Sequence, residues 1–387
     1  MGWRSDSRLD IKSDFREPVT FDRPELLQKV MLESVRQSAS DIYFQSGYPV
    51  MFKIHGSLWA LTERRLTTGE CLLILNWAAG NPNASAQIAK GEGARCSYNA
   101  IDPVLKDARG ELMRHRFRVN AFGTEFRSDL GVQIVMRSIK SEPPTIEGVG
   151  LSQVLVDAST PEDGIVYITG ATGSGKSTTF AAMQRHILEG DTPIKGNLIT
   201  LEKPVEYTFD AVFSKHSVMA QLEIGRNVAT FGEGIEECMR MDPSLIVIGE
   251  IREQETASAA IEAAVTGHPV YTTLHANNVS AIFTRMLSFY DPAVHSTLLF
   301  SIVNTSRLLI NQRLVPALAG GRVPLREYLV MTDEMRQEIV ADSDPKRITN
   351  VMTNMLARFG KSMSQAADEA FEQNLISEAV MNLNKVT

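Results

Sequence analysis

Gly170-Ala171-Thr172-Gly173-Ser174-Gly175-Lys176-Ser177 satisfies G-x-x-x-x-G-K-[ST] and stands between an apolar run and an amphipathic one. Ahead of it, residues 165–168 (Ile-Val-Tyr-Ile) suit a buried strand; behind it, Phe180, Met183 and Ile187 share one face at helical spacing. Strand, glycine loop and helix in that order read as a phosphate-binding P-loop. Glycines let consecutive backbone N–H groups turn inward on phosphates, and the helix N-terminus adds partial positive charge. Gly170, Thr172, Gly173, Ser174, Gly175 and Thr178 then form the cradle, with Lys176 reaching the β/γ-phosphates and Ser177 the Mg²⁺.

Working outward, apolar strand candidates alternate with helices. Strands are expected at 165–169, 197–201, 245–248 and 270–274, and helices at 176–189, 231–241, 254–266 (closed by Gly267) and 280–290. This is an α/β pattern and implies a largely parallel sheet with helices on its faces. Ligands of such sheets sit beyond the carboxyl ends of the strands, where the P-loop lies. From about residue 332 the chain reads as a helical tail.

The amino-terminal part is different. Residues 1–23 are polar and aperiodic and read as an arm of uncertain order. A helix is expected over 25–38, short strands over 41–45 and 50–54, and a helix from Thr67 or Thr68 to 79. Residues 113–120 alternate, with Arg114, Arg116 and Arg118 on one face and His115, Phe117 and Val119 on the other; 132–139 alternates less clearly. These segments describe an α+β domain over 24–140. The two prolines in 141–145 oppose helix and central strand alike, which places a linker over 141–150 and the second domain over 151–387.

With 387 residues, two domains are the default. The net charge of −7 gives no bulk drive toward nucleic acid or anionic lipid. Cys71, Cys96 and Cys238 form no C-x-x-C pair, so the sequence indicates neither a zinc site nor a disulfide framework and suits a reducing cytoplasm. No apolar run approaches the ~18 residues of a spanning helix, and the first residues lack the apolar core of a signal peptide. Any membrane association is expected through partners.

Nucleotide hydrolysis also needs groups that hold Mg²⁺ and orient water. Residues 245–250 form an apolar strand ending in Glu250, placed where a strand end meets the γ-phosphate. Gly249 stands where many P-loop enzymes carry Asp, which leaves magnesium coordination to run through water. Glu202 and Glu206 flank Lys203-Pro204-Val205 after another strand, and either could serve. His275 closes the 270–274 strand on the ligand side and is a candidate γ-phosphate sensor. His268, at the other end, is expected on backbone. For the charge that develops in the transition state, Arg114, Arg116, Arg118, Arg127 and Arg137 are available from the first domain.

Taken together, these segments resemble the secretion ATPases of the type II and type IV secretion and type IV pilus superfamily. Residues 40–47 look like the A-S-D-[IL]-H motif and 116–121 like R-[FY]-R-V-N. Residues 200–206 are similar to the Asp box, 221–225 to Q-R-E-[VI]-G, 240–252 to the Walker B segment and 266–275 to the His box. The resemblance implies a hexameric cytoplasmic ATPase using ATP and Mg²⁺, with a RecA-like P-loop NTPase domain and a smaller PAS-like α+β N-terminal domain. It further implies nucleotide bound between the two, docking on inner-membrane components of a secretion or conjugation apparatus, and no nucleic-acid partner. Glu250 would be the Walker B glutamate and ligand-side metal residue with Ser177, Glu202 or Glu206 the Asp-box acid, and Arg116, Arg118, Arg127 and Arg137 the phosphate-reaching arginines.

Departures narrow the branch. Lys203 replaces the Asp of the Asp box, Leu222 the Arg of Q-R-E and Ser244 the second Asp of D-P-D, and the tetracysteine element of assembly ATPases is absent. Residues 334–339 keep only Arg336 and Ile339 of the A-I-R-N-L-I of pilus-retraction members. The join over 137–144 and the insertion around 123–131 look more like the DotB and TraJ ATPases of type IVB secretion and conjugation. Pilus retraction or assembly is the alternative within the superfamily, and a nucleic-acid-stimulated RecA-like motor the alternative outside it.

Overall fold

Why the chain divides where it does follows from its two separate sheets, each with its own apolar core, in the computed structural model, which describes residues 15–106, 110–139, 142–342 and 344–385. One compact unit ends at Glu142 and also takes in Glu206–Ala211; the other comprises Pro143–Val205 and the chain from Val212 onward.

The first unit runs α1 (Pro24–Arg36), β1 (Asp41–Gln45), β2 (Met51–Ile54), β3 (Ser57–Ala60), α2 (Thr68–Ala79), α3 (Ala84–Ala89), β4 (Ala94–Lys106), β5 (Leu112–Phe126) and β6 (Asp129–Ile139). Its antiparallel sheet has the order β3-β2-β1-β6-β5-β4. The helix expected over 25–38 ends two residues early, because Ser38 takes a positive φ. β3, α3 and β4 were not legible. β4 carries Asp102-Pro103 and mixed polarity, and its long pairing with β5 overrides weak local preference.

Of the polar arm, residues 1–14 lie outside the described residues, but 15–23 is fixed. Phe21 is buried, and Glu17 accepts from the backbone N–H groups of Glu63 and Arg64. The anchor is Glu70, which closes a capping box with Thr67 at the start of α2. Its carboxylate also accepts from Phe21 N at 2.8 Å and Arg64 Nη2 at 2.7 Å. Burial pushes this carboxyl up, but the hydrogen bonds from Arg64, Thr67 and Phe21 outweigh it and hold it at about 2, below its ordinary 4.5. A depressed carboxyl stabilises the fold fully above its unfolded value, and that contribution is lost as pH falls through the folded one. Glu70→Gln is therefore expected to lower unfolding free energy by on the order of 2 kcal/mol at neutral pH, after allowance for solvent screening. Denaturant titrations repeated downward from pH 5 should show the difference closing toward pH 2.

The second unit continues with α4 (Gln153–Ala158), β7 (Gly164–Thr169), α5 (Lys176–Glu189), β8 (Gly196–Glu202), β9 (Ser217–Glu223), α6 (Phe231–Cys238), β10 (Pro243–Ile248), α7 (Gln254–Val265), β11 (Pro269–Leu274), α8 (Ile282–Leu287), α9 (His295–Thr305), β12 (Ser306–Pro316), β13 (Arg322–Val330) and α10 to α13 (Asp333–Ala341, Ile348–Phe359, Met363–Glu372 and Glu378–Lys385). The sheet order is β13-β12-β7-β11-β10-β8-β9, parallel except for the β12–β13 hairpin. β7 and β11 are buried along their whole length, as strands covered on both faces must be.

Two expected helices are shorter. The 231–241 helix stops at Cys238, ahead of Asp242 with its positive φ. The 280–290 segment is a 3₁₀ turn, Val279–Ala281, followed by α8; Asn278 caps it by accepting from Ala281 N. β9, α9, β12 and β13 went unread. Among the described residues no helix is long and apolar enough to cross a membrane.

Candidate functional site at the carboxyl edge of the parallel sheet

The neighbouring strands β7, β11, β10 and β8 end side by side, and each end delivers one of the residues singled out by sequence. β7 opens into the loop 170–175, whose Gly170, Gly173 and Gly175 all have positive φ. At Gly170 a Cβ would lie 2.3 Å from the backbone oxygen of Gln312, so only glycine fits. α5 starts at Lys176, and its apolar face holds the loop on the sheet. Phe180, Met183 and Ile187 are buried, and Phe180 stacks on Tyr271 of β11 with ring centroids 5.0 Å apart.

Thr172 and Gly173 are exposed at the loop's crest, and Ser177 and Thr178 are half-buried in the first turn of α5. The Lys176 ammonium donates to the carbonyls of Gly170 at 2.9 Å and Ala171 at 3.0 Å. It therefore lies across the mouth of the loop. Ser174 is buried, its carbonyl accepting from Gln312 Nε2 at 2.7 Å.

Beyond β10, the stretch Gly249-Glu250-Ile251 is stitched to both flanking strands. Gly249 N donates to Leu201 O of β8, Thr273 Oγ1 of β11 donates to Gly249 O, and Ile251 N donates to Thr273 O. A Cβ at Gly249, where many P-loop enzymes use Asp, would approach Leu201 O to 3.2 Å, a tight contact. Glu250 follows with its side chain largely enclosed. His275 Nε2 lies 2.9 Å from Oε1, and Arg252 Nη2 lies 2.5 Å from Oε2. The hydrogen bond to Glu250 raises the pKa of Arg252. Arg252 thus pairs with Oε2, while Oε1 is buried beside the imidazole without a hydrogen-bond partner. Arg252 was not singled out, although it closes the quoted 240–252 segment; its role becomes visible only through the turn at Ile251.

Glu202 ends β8 one strand further along and accepts from Thr200 Oγ1 at 3.0 Å. No helix follows: the Lys203–Pro204 peptide is cis and the chain stays irregular to β9. Lys176, Ser177, His275, Glu250 and Glu202 are thereby brought to one edge of one sheet. His268, at the opposite end of β11, contacts the backbone oxygen of Ala263 and Thr266 Oγ1.

Glu206 belongs with the first unit, as do the arginines. Arg118 Nη2 donates to Glu206 Oε1 at 2.5 Å. Arg116 shares a strand face with Arg114 and Arg118 but is buried where Arg114 is exposed and Arg118 half-buried; its guanidinium donates to Ser97 Oγ of β4. Arg137 forms a cross-strand pair with Asp41, Nε to Oδ1 at 2.7 Å. Arg127 lies at the tip of the β5–β6 hairpin, exposed and with positive φ, its guanidinium over the Phe126 ring.

The donor set suits a nucleotide and Mg²⁺. Glycine-rich backbone, one ammonium and one hydroxyl at a helix start match what a phosphate chain needs. Mg²⁺ takes one or two protein ligands and leaves the rest of its shell to phosphate oxygens and water. Ser177 would supply such a ligand, and Glu250, already paired with Arg252, fits better as a carboxylate reaching the ion or its water than as part of a protein cage. Among the described residues no group of three or more His, Cys, Asp and Glu could hold a metal by itself.

Residues 106–320 match the family model described as type II/IV secretion system protein. The ATPase DotB of Legionella pneumophila superposes with a TM-score of 0.86 and 35% identity, covering 95% of this chain and 97% of that one. The pilus retraction motor PilT, solved with bound ADP, gives 0.77 and 26%, covering 93% and 97%. In sequence, the type IV pilus ATPase PilT of Pseudomonas aeruginosa is 28% identical over 328 residues, 84% of this chain and 89% of its own. With these neighbours, the second unit is a RecA-like domain carrying the P-loop and the first a smaller N-terminal domain.

Proposed function

The chain belongs to the type II/IV secretion system protein family, and on that premise we propose that it hydrolyses ATP and works as a hexamer whose cycle drives a type IVB-like secretion or conjugative transfer apparatus. The observation that carries hydrolysis, as distinct from nucleotide binding, is the Glu250 carboxylate paired through Oε2 with Arg252 and leaving Oε1 without a hydrogen-bond partner beside His275, one strand over from the His275 strand and two from the P-loop. In this reading the loop N–H groups and Lys176 hold the phosphate chain, and Ser177 holds Mg²⁺ with Glu250 reaching its shell. Mg²⁺ would supply charge neutralisation between the phosphates. Glu250 orients the attacking water and draws its proton, and His275 ties the carboxylate to the γ-phosphate position. Glu202 is the second acid of the edge, and Arg118, joined to Glu206, is the first-domain arginine we assign to phosphate charge.

For the pathway, higher identity and TM-score to DotB than to PilT support the secretion and conjugation branch over pilus retraction. Cytoplasmic placement and docking on inner-membrane components belong to the same proposal, as does a PAS-like character for the first domain.

Steady-state phosphate release by the purified chain, run alongside sizing with and without ATP and Mg²⁺, tests it. Magnesium-dependent release with nucleotide-dependent hexamers is expected. A chain that binds ATP but releases no phosphate as a hexamer would be a nucleotide-gated scaffold, and strong stimulation by DNA would move the reading to a nucleic-acid motor.

A further inference from the structure

Behind the phosphate loop, the β12–β13 hairpin sets Gln312 directly opposite Arg326, both buried, at 1% and 7% exposure. The Gln312 amide faces two ways. Its Nε2 donates to Ser174 O of the loop at 2.7 Å, while its Oε1 accepts from Arg326 Nε at 2.8 Å and from Thr179 Oγ1 of α5 at 2.9 Å. Arg326 then donates Nη1 to Gly150 O and Nη2 to Val149 O, each at 2.7 Å, and Nη2 lies 3.5 Å from Thr179 Oγ1. Every partner of this guanidinium is a neutral oxygen. Among the described residues no carboxylate pairs with it, and burial alone pushes its pKa down to about 10, which still leaves it charged at neutral pH.

A buried charge without a counter-charge is costly to keep. An apolar or amide side chain could fill the same space, so hydrogen bonding to Gly150 and Val149 does not by itself account for a cation. What the cation adds is a field, and the nearest functional element is the loop that its partner Gln312 touches. In a low-dielectric interior such a field is weakly screened. It acts in the same sense as the α5 N-terminus.

We propose that Arg326, acting through Gln312, is a positioning residue for the phosphate loop whose uncompensated charge strengthens nucleotide binding in step with the charge of the phosphate chain. The inference rests on the ATP reading of the loop. Dissociation constants for ATP and AMP, measured by competition against a fluorescent nucleotide on the full chain, test it in Arg326→Gln and Arg326→Lys. Arg326→Gln is expected to weaken ATP about tenfold while AMP stays within about twofold, and Arg326→Lys, which keeps charge but loses the fork, to recover most of the ATP affinity. Equal losses for ATP and AMP, or a lysine variant no better than glutamine, would mean a purely structural residue and overturn the proposal. Should Arg326→Gln fail to fold, Thr179→Asp gives the guanidinium a counter-charge in place. It is expected to reproduce the selective loss of ATP, and unchanged selectivity there overturns the proposal equally. An unsubstituted chain that binds no ATP removes the nucleotide reading itself, a result distinguishable from all of these.

Discussion

Glu250→Gln is expected to lower kcat for ATP hydrolysis by on the order of 10²–10⁴-fold while ATP still binds. The amide keeps the size of the carboxylate and one oxygen to accept from Arg252, and the backbone bonds of Gly249 and Ile251 are untouched, so β10 and its junction with β8 and β11 are preserved. What it loses is the negative charge that attracts the water proton and balances the metal. Binding is carried elsewhere, by the loop on β7, so kcat falls and the ATP dissociation constant changes little. Single-turnover hydrolysis beside equilibrium nucleotide binding separates the two. Full activity in this variant would sink the assignment of Glu250, and a parallel loss of binding would make it a site-forming residue rather than one acting on the reaction. His275→Gln should show the same split at smaller amplitude, since it removes the imidazole beside Glu250 Oε1 and leaves the Arg252 pair in place.

The elements that sequence revealed in this chain are those whose local pattern and tertiary setting agree. The P-loop, β7, β10, β11 and α5 to α7 carry continuous apolar runs or a single apolar face, and each was placed within a few residues. The expected start of α2 at Thr67 or Thr68 coincides with the capping box that Thr67 forms with Glu70. The unread strands fail for physical reasons. β9 is an edge strand with a half-exposed, mixed pattern, and β12 carries Asn311 and Gln312 at fully buried positions. Those two polar residues break the apolar signature because they serve the loop and the β11 junction: Asn311 Nδ2 donates to Thr169 Oγ1 and Ala276 O. The same blindness applied to the site. Residues that end strands were visible as acids and histidines after apolar runs, whereas Gln312 and Arg326 act through hydrogen bonds that join distant segments, and no spacing announces them. The arginines of β5 mark the opposite limit, since alternation predicts which residues share a face but not how deeply each one lies: Arg114 is exposed, Arg118 half-buried and Arg116 buried.

Lys176→Ala is expected to abolish measurable hydrolysis, a loss of at least about 10³-fold, and to weaken ATP binding with it. The ammonium is the one side-chain cation of the loop, and it spans the two carbonyls at the loop's mouth without packing into the core. Its removal leaves α5 anchored by Phe180 on Tyr271 and the loop anchored by Gln312, so the melting temperature should stay within a few degrees of the unsubstituted chain. Gly170→Ala provides the contrast. There the added methyl meets the Gln312 carbonyl at 2.3 Å, backbone against which nothing can swing aside, in a conformation that L side chains rarely adopt. That variant should lose stability and activity together, because the β7–β12 junction must move to admit it. Thermal melts of the two variants beside phosphate release therefore separate charge from scaffold. A Lys176→Ala protein that melts like Gly170→Ala would make the lysine a structural clamp, and one that hydrolyses ATP at the original rate would remove the loop from the reaction altogether.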